Sequence, residues 1–151
     1  MERVYAEFHT IDSQKVTLRS ARMSDLHGFL DFINSLVDEQ ADILFEERLT
    51  LEDEDDWLRN LLAEIENGIV ISVVAEIDGR IIGNSGVRRG IGRNSHVGLL
   101  HIAVKNGYRN AGFGTEMMQI LIEESRRIGL KLLHLTVFDS NQQAKHLYEK
   151  I

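Results

Sequence analysis

Leu100-His101-Ile102-Ala103-Val104, followed after three residues by Tyr108-Arg109-Asn110-Ala111-Gly112-Phe113-Gly114-Thr115, reads as a strand, a glycine turn and the start of a helix. Two glycines two residues apart at such a turn are compatible with several phosphate-cradling loops. A dinucleotide-binding Gly-x-Gly-x-x-Gly is excluded because Met117 stands where the third glycine belongs, and no acidic residue follows at the required place. A P-loop is excluded because the chain has no Gly-Lys-Ser/Thr tripeptide. What remains is Arg-x-x-Gly-x-Gly at a helix N-terminus. The first backbone N–H groups of a helix lack internal partners and lie at the positive end of its dipole, so they suit an anionic pyrophosphate. The same glycines also permit a plain tight turn, and the six-residue pattern alone leaves both readings open.

Outward from this turn, alternating apolar residues predict a strand over 96–104 before it, and helical spacing predicts a helix over 112–128 after it, ended by Gly129. The next strand is predicted at 132–138. Ser140-Asn141-Gln142-Gln143 then reads as a capping box opening a helix with Ala144, Leu147, Tyr148 and Ile151 on one face. Upstream, the runs 69–77 and 80–87 flank Asp78-Gly79, a pair that favours a type I′ hairpin turn. Thr50-Leu51-Glu52-Asp53 resembles a capping box, and its helix carries Trp57, Leu58, Leu61 and Leu62 to a stop near Asn67-Gly68. Val16 and Leu18 alternate with polar residues over 15–19, and Ser24 reads as the N-cap of a helix through Leu26, Phe29, Leu30 and Ile33. The predicted order β-α-α-β-β-β-α-β-α gives an α/β (α+β) fold: a mixed, mostly antiparallel central sheet with helices on both faces.

The 151 residues make one domain, with 43% hydrophobic and 27% charged residues, the balance of a folded soluble protein. The longest apolar runs, 69–75 and 99–104, fall far short of the roughly 20 residues that span a bilayer. With no secretory leader at Met1-Glu2-Arg3-Val4-Tyr5, the expected location is the cytosol. Cysteine and proline are both absent, which excludes thiol nucleophiles and Cys-ligated metal and leaves the turns to Gly, Asn, Asp and Ser. A net charge of −7, from 24 acidic and 17 basic residues, argues against nucleic acid and for a cationic small molecule or peptide amine.

Leu100–Val104, Arg109-x-x-Gly112-x-Gly114, and Leu135-Thr136-Val137 followed by Asn141, Ala144 and Leu147-Tyr148-Glu149-Lys150 together resemble the Gcn5-related N-acetyltransferase (GNAT) family, strongly over about residues 97–151. The resemblance implies acetyl-CoA (coenzyme A) as donor and an N-acetyltransferase fold. It implies that Ile102, Ala103 and Val104 pair with pantetheine, that Arg109, Asn110, Ala111, Gly112, Phe113, Gly114 and Thr115 form the pyrophosphate loop, that Asn141 contacts the pantetheine arm, and that Tyr148 is the general acid. Family members carry Pro before the Arg, where this chain has Lys105-Asn106-Gly107. They also continue past Tyr-Glu-Lys through two more strands, so the resemblance implies a domain short of its last two strands.

Acetyl transfer to an amine needs a deprotonated nitrogen, stabilisation of negative charge on the carbonyl oxygen and a proton for the thiolate. Tyr148 fits the last task because a phenol and a CoA thiol have pKa values within about two units, although a core aromatic beside Leu147 and Ile151 is the alternative. Relatives place a Glu near the positions of Gly98 and Thr136, neither of which accepts a proton usefully. By alternation His96 shares a face with Gly98 and His134 with Thr136, so each is a candidate base through water, against a structural role or a chain of waters with no residue as base. Glu46 and Glu47 could attract a cationic acceptor, Glu52–Asp56 reads as a solvated helix start, and Arg88, Arg89 and Arg93 could meet an anion or simply line a solvated loop. The expected chemistry is direct transfer to a small-molecule or peptide amine, with no metal, no covalent enzyme intermediate, no nucleic acid and no membrane; a homodimer is compatible with it. A CoA-binding regulatory module without catalysis is the non-enzymatic alternative.

Overall fold

The computed structural model describes residues 3–10, 12–38, 50–105, 108, 113–138 and 144–150, with backbone alone from Thr136 onward. Its elements are β1 (Val4–His9), β2 (Lys15–Arg19), α1 (Leu26–Asp38), α2 (Leu51–Glu66), β3 (Val70–Ile77), β4 (Arg80–Arg89), β5 (Val97–Val104), α3 (Phe113–Arg127), β6 (Leu132–Phe138) and β7 (Ala144–Lys150). They build one seven-stranded sheet in sequence order, and only the β5–β6 pair is parallel. That parallel pair needs a crossover, which α3 supplies. The mixed, mostly antiparallel sheet with helices on both faces is the architecture expected from the sequence.

Strand alternation sorts the core into two layers. Val16, Leu18, Val73, Ala75, Ile82, Val87 and Leu100 face α3 and meet its Phe113, Met117 and Leu121. On the opposite face, Val70, Val74 and Ile81 meet Phe29, Phe32 and Leu36 of α1 and Leu58 and Leu61 of α2. The hairpin between β3 and β4 turns at Asp78 and Gly79 with φ of 51° and 77°, the paired positive values of a type I′ turn. Thr50 caps α2 as expected: its side chain accepts from the Asp53 N–H at 3.2 Å, and the Asp53 carboxylate accepts from the Thr50 N–H at 3.3 Å. Among the described residues no helix is long and apolar enough to cross a membrane.

Three expectations are corrected. Ser24 does not cap α1; it lies exposed within a 3-10 turn over Met23–Asp25 that precedes it. Asp25, the last residue of that turn, closes the turn by accepting from the Arg22 N–H at 2.9 Å, and the buried Arg19 guanidinium donates to the same carboxylate at 2.8 and 2.7 Å. The first strand, β1, was not anticipated; its Val4–His9 segment pairs antiparallel with β2 across an irregularity between Val4 and Ala6, which blurs the alternation. The helix expected from Ala144 is the strand β7, paired with β6 from Leu132↔Lys150 to Phe138↔Ala144. Seven residues satisfy a helical and a strand period equally well, and the unpaired edge of β6 decides for the strand by offering a full ladder of hydrogen-bonding groups. The capping box assigned to 140–143 lies outside the described residues.

Candidate active site

Strand β5 holds the centre of the site. Its β4 side is paired from Gly98 to Val104, whereas its β6 side is paired only from Val97↔Leu132 to Leu100↔Leu135. Past Leu100 the β5–β6 ladder does not continue among the described residues, so Ile102, Ala103 and Val104 border a slot in the sheet. All three are half-buried. Backbone N–H and C=O groups released from a ladder must find other partners, so such a slot suits an extended amide-bearing chain.

The N-terminus of α3 stands beside that slot. Phe113 is 1% exposed and packs at ring-centroid distances of 6.2 Å from Phe8 and 6.3 Å from Tyr108, which fixes the helix start against the sheet. Its side chain therefore belongs to the core, and only its backbone can serve a ligand. A Cβ placed on Gly114 would meet nothing within 4 Å, and Thr115 is exposed, so the first turn of α3 opens onto free space. Its leading N–H groups have no intrahelical acceptors. Open space, orphan donors and the adjacent slot fit the pyrophosphate and pantetheine arm of coenzyme A. Arg109, Asn110, Ala111, Gly112 and Asn141 lie outside the described residues, as do Glu46 and Glu47.

The candidate proton-transfer residues are not all brought together. His96 is exposed just before β5 and six residues from Ile102, about 20 Å along a strand. His134 and Tyr148 stand opposite each other on β6 and β7, and His134 is level with Leu99 of β5. Gly98 is sealed in the core: a Cβ there would lie 2.6 Å from Val87 Cγ1, 2.8 Å from Leu130 Cδ1 and 2.9 Å from Leu133 Cδ2. No acidic side chain could occupy that position without displacing all three.

A residue passed over in the sequence, His101, lies closer to the slot than His96 does. Leu100 and Ile102 pack toward α3 while Ala103 packs toward α1 and α2, so alternation places His101 on the α1/α2 face, next to Ile102 in the chain. It is exposed and sits opposite Gly86 of β4; a Cβ on Gly86 would come within 2.9 Å of His101 Cε1, so glycine gives the ring room to lean over β4. The imidazole pKa is lowered from its ordinary value, first by the surrounding protein and second by the Arg88 charge. The signal in the sequence was the position itself, one residue before Ile102 on the opposite face.

The arginines of the β4–β5 region divide by partner. Arg88 pairs with Glu64 of α2, and the Arg88 side chain lowers the Glu64 pKa while its own is raised. Arg89 donates to the Ile128 carbonyl, and Arg93 is exposed. At the start of α2, Glu54 is buried with its pKa raised by desolvation and by Asp53, which makes that carboxylate a poor lure for a cation.

The acetyltransferase (GNAT) family model matches residues 33–151. The chain is 29% identical over 100 residues to a probable N-acetyltransferase camello of Xenopus tropicalis, covering 63% of this chain and 46% of that protein. The chain thus spans about half the length of the curated relatives it matches. Among solved structures, a ribosomal-protein-alanine N-acetyltransferase from Brucella melitensis matches with a TM-score of 0.68 at 27% identity, over 82% of this chain and 75% of that one. A putative acetyltransferase from Salmonella typhimurium, yncA, solved with its cofactor acetyl-CoA, shares the fold with a TM-score of 0.69 at 21% identity, over 83% and 72% of the two chains. With the slot in β5, the α3 turn and a family match over most of its length, the chain belongs to the acetyltransferase (GNAT) family.

Proposed function

We propose that the chain is an acetyl-CoA-dependent N-acetyltransferase that moves an acetyl group directly to the primary amine of a small molecule. The observation that carries this reading is the pairing of the unladdered 102–104 edge of β5 with the open first turn of α3. The acetyl-CoA held by the Salmonella protein of the same fold supports it. When bound, acetyl-CoA supplies an acyl group activated as a thioester. Ile102, Ala103 and Val104 align the pantetheine arm through the backbone, with N–H groups on that edge stabilising charge on the carbonyl oxygen. Arg109 and the backbone from Asn110 to Thr115 hold the pyrophosphate. Glu116 adds a negative charge to the first turn of α3, so neutralising the anion falls to the helix N–H groups and Arg109. Asn141 steadies the arm, and Tyr148 supplies the proton that the thiolate takes up. The net charge of −7 favours a cationic acceptor over nucleic acid, and a cytosolic location accords with this chemistry.

A second reading keeps the donor and makes the acceptor a protein N-terminal amine; the Brucella ribosomal-protein-alanine N-acetyltransferase favours it. Thiol release with acetyl-CoA, measured across small amines and short peptides, separates the two. Turnover confined to small amines supports the first reading, and turnover confined to peptides supports the second. Binding without turnover on any acceptor, unchanged in Tyr148→Phe, identifies a regulatory CoA-binding module instead.

A further inference from the structure

The two faces of the sheet divide the work. Helix α3 and its open first turn lie on one face, so an arm entering the β5–β6 slot from there leaves the acceptor to approach from the other. On that other face the row Ser72–Gly86–His101 runs across β3, β4 and β5. Gly86 lies at its centre, and the Ser72 hydroxyl, 2% exposed, has no hydrogen-bond partner among the described residues. The space above Gly86 is taken by the His101 ring, so the glycine, and not an added side chain, sets where the imidazole sits on this face. Gly98, on the α3 face of the same strand, is closed by Val87, Leu130 and Leu133.

The geometry points to His101 as the general base for the acceptor amine, held over Gly86 on the α1/α2 face and one residue from the Ile102–Val104 edge. This inference rests on the acetyltransferase reading above and deepens it. As the amine nitrogen bonds to the acetyl carbon, the carbon–sulfur bond breaks and its electron pair leaves with the thiolate. The proton that the nitrogen sheds passes to the His101 imidazole and then to solvent, and the thiolate is protonated separately. A base must be neutral to act, and desolvation first and the Arg88 charge second lower the His101 pKa, the direction that favours the neutral ring. Among the described residues, the charged and titratable groups on this side include Arg88 of β4, its partner Glu64 and the buried Glu54 of α2, His134 of β6, and Arg19 of β2 with Asp25 and Glu76; β3 also offers the neutral Ser72. On α1, His27, Asp31 and Asp38 are exposed.

Two readouts on the full chain test the proposal. The first is the ring titration of His101 by NMR, assigned as the signal missing from His101→Gln. The second is kcat/KM against pH, expressed per free amine so that the acceptor's own ionisation drops out. The expected result is a ring pKa below about 6.5 that coincides with the acid limb of the rate profile. Arg88→Gln should move both upward together while the ring stays in place. His101→Gln should lower kcat/KM about 10²-fold and abolish the limb. A limb that persists in His101→Gln, that disappears instead in His134→Gln, or that moves independently of the ring titration overturns the assignment to His101 and leaves the acetyltransferase reading standing. A wild-type chain that acetylates no amine overturns both.

Discussion

Single side chains decide which parts of this sheet can do chemistry. Gly98 and Gly86 are both buried on β4 or β5, yet one is packed against three side chains of the core and the other makes room for an imidazole. Gly98→Ala should therefore destabilise the fold by about 1–3 kcal/mol through overpacking, read as a lower denaturant midpoint with an unchanged slope. Alternation alone does not distinguish the two glycines. The sequence showed that position 98 lacks a carboxylate, but it did not show that Leu130 and Leu133 fill the space. His101 was missed for a related reason. Its proposed acceptor-side role depends on which helices cover which face of β5, a property of three-dimensional packing.

At the scale of elements, local chemistry was legible wherever a turn or cap carries its own signature. Thr50 with Asp53, and Asp78 with Gly79, impose their geometry regardless of the rest of the chain. Thr50→Ala removes the acceptor for the Asp53 N–H and should cost about 1 kcal/mol of stability, measured by denaturant unfolding. Elements whose identity depends on a partner were less legible. Val4–His9 becomes a strand by pairing with β2, and Ala144–Lys150 becomes one by completing β6, although its spacing also fits a helix. Ser24 lies inside a 3-10 turn and not at the cap of α1, and Asp25 of that turn is held by an arginine contributed by β2.

Across the whole molecule, that arginine ties three elements together. Arg19 of β2, 5% exposed, binds Asp25 in the turn before α1 and, at 2.7 Å, Glu76 of β3, so one buried cation joins the sheet to the helical layer. Asp25→Ala leaves that cation short of a partner and should cost about 3–5 kcal/mol, seen as a large drop in the unfolding midpoint. The proposed split of labour between the two faces follows from the same layering: α3 offers its N-terminus on one side, and α1 and α2 cover the other, where the acceptor would approach. The measurement that bears most directly on this account is calorimetric titration of acetyl-CoA into the wild type and Gly114→Glu. The substituted side chain has open space and an acidic group suits a helix start, so folding should be preserved while negative charge enters the pyrophosphate position. The account predicts one-to-one binding by the wild type and at least a tenfold weaker affinity in an equally stable variant; no binding by the folded wild type, or equal binding by both, would contradict it.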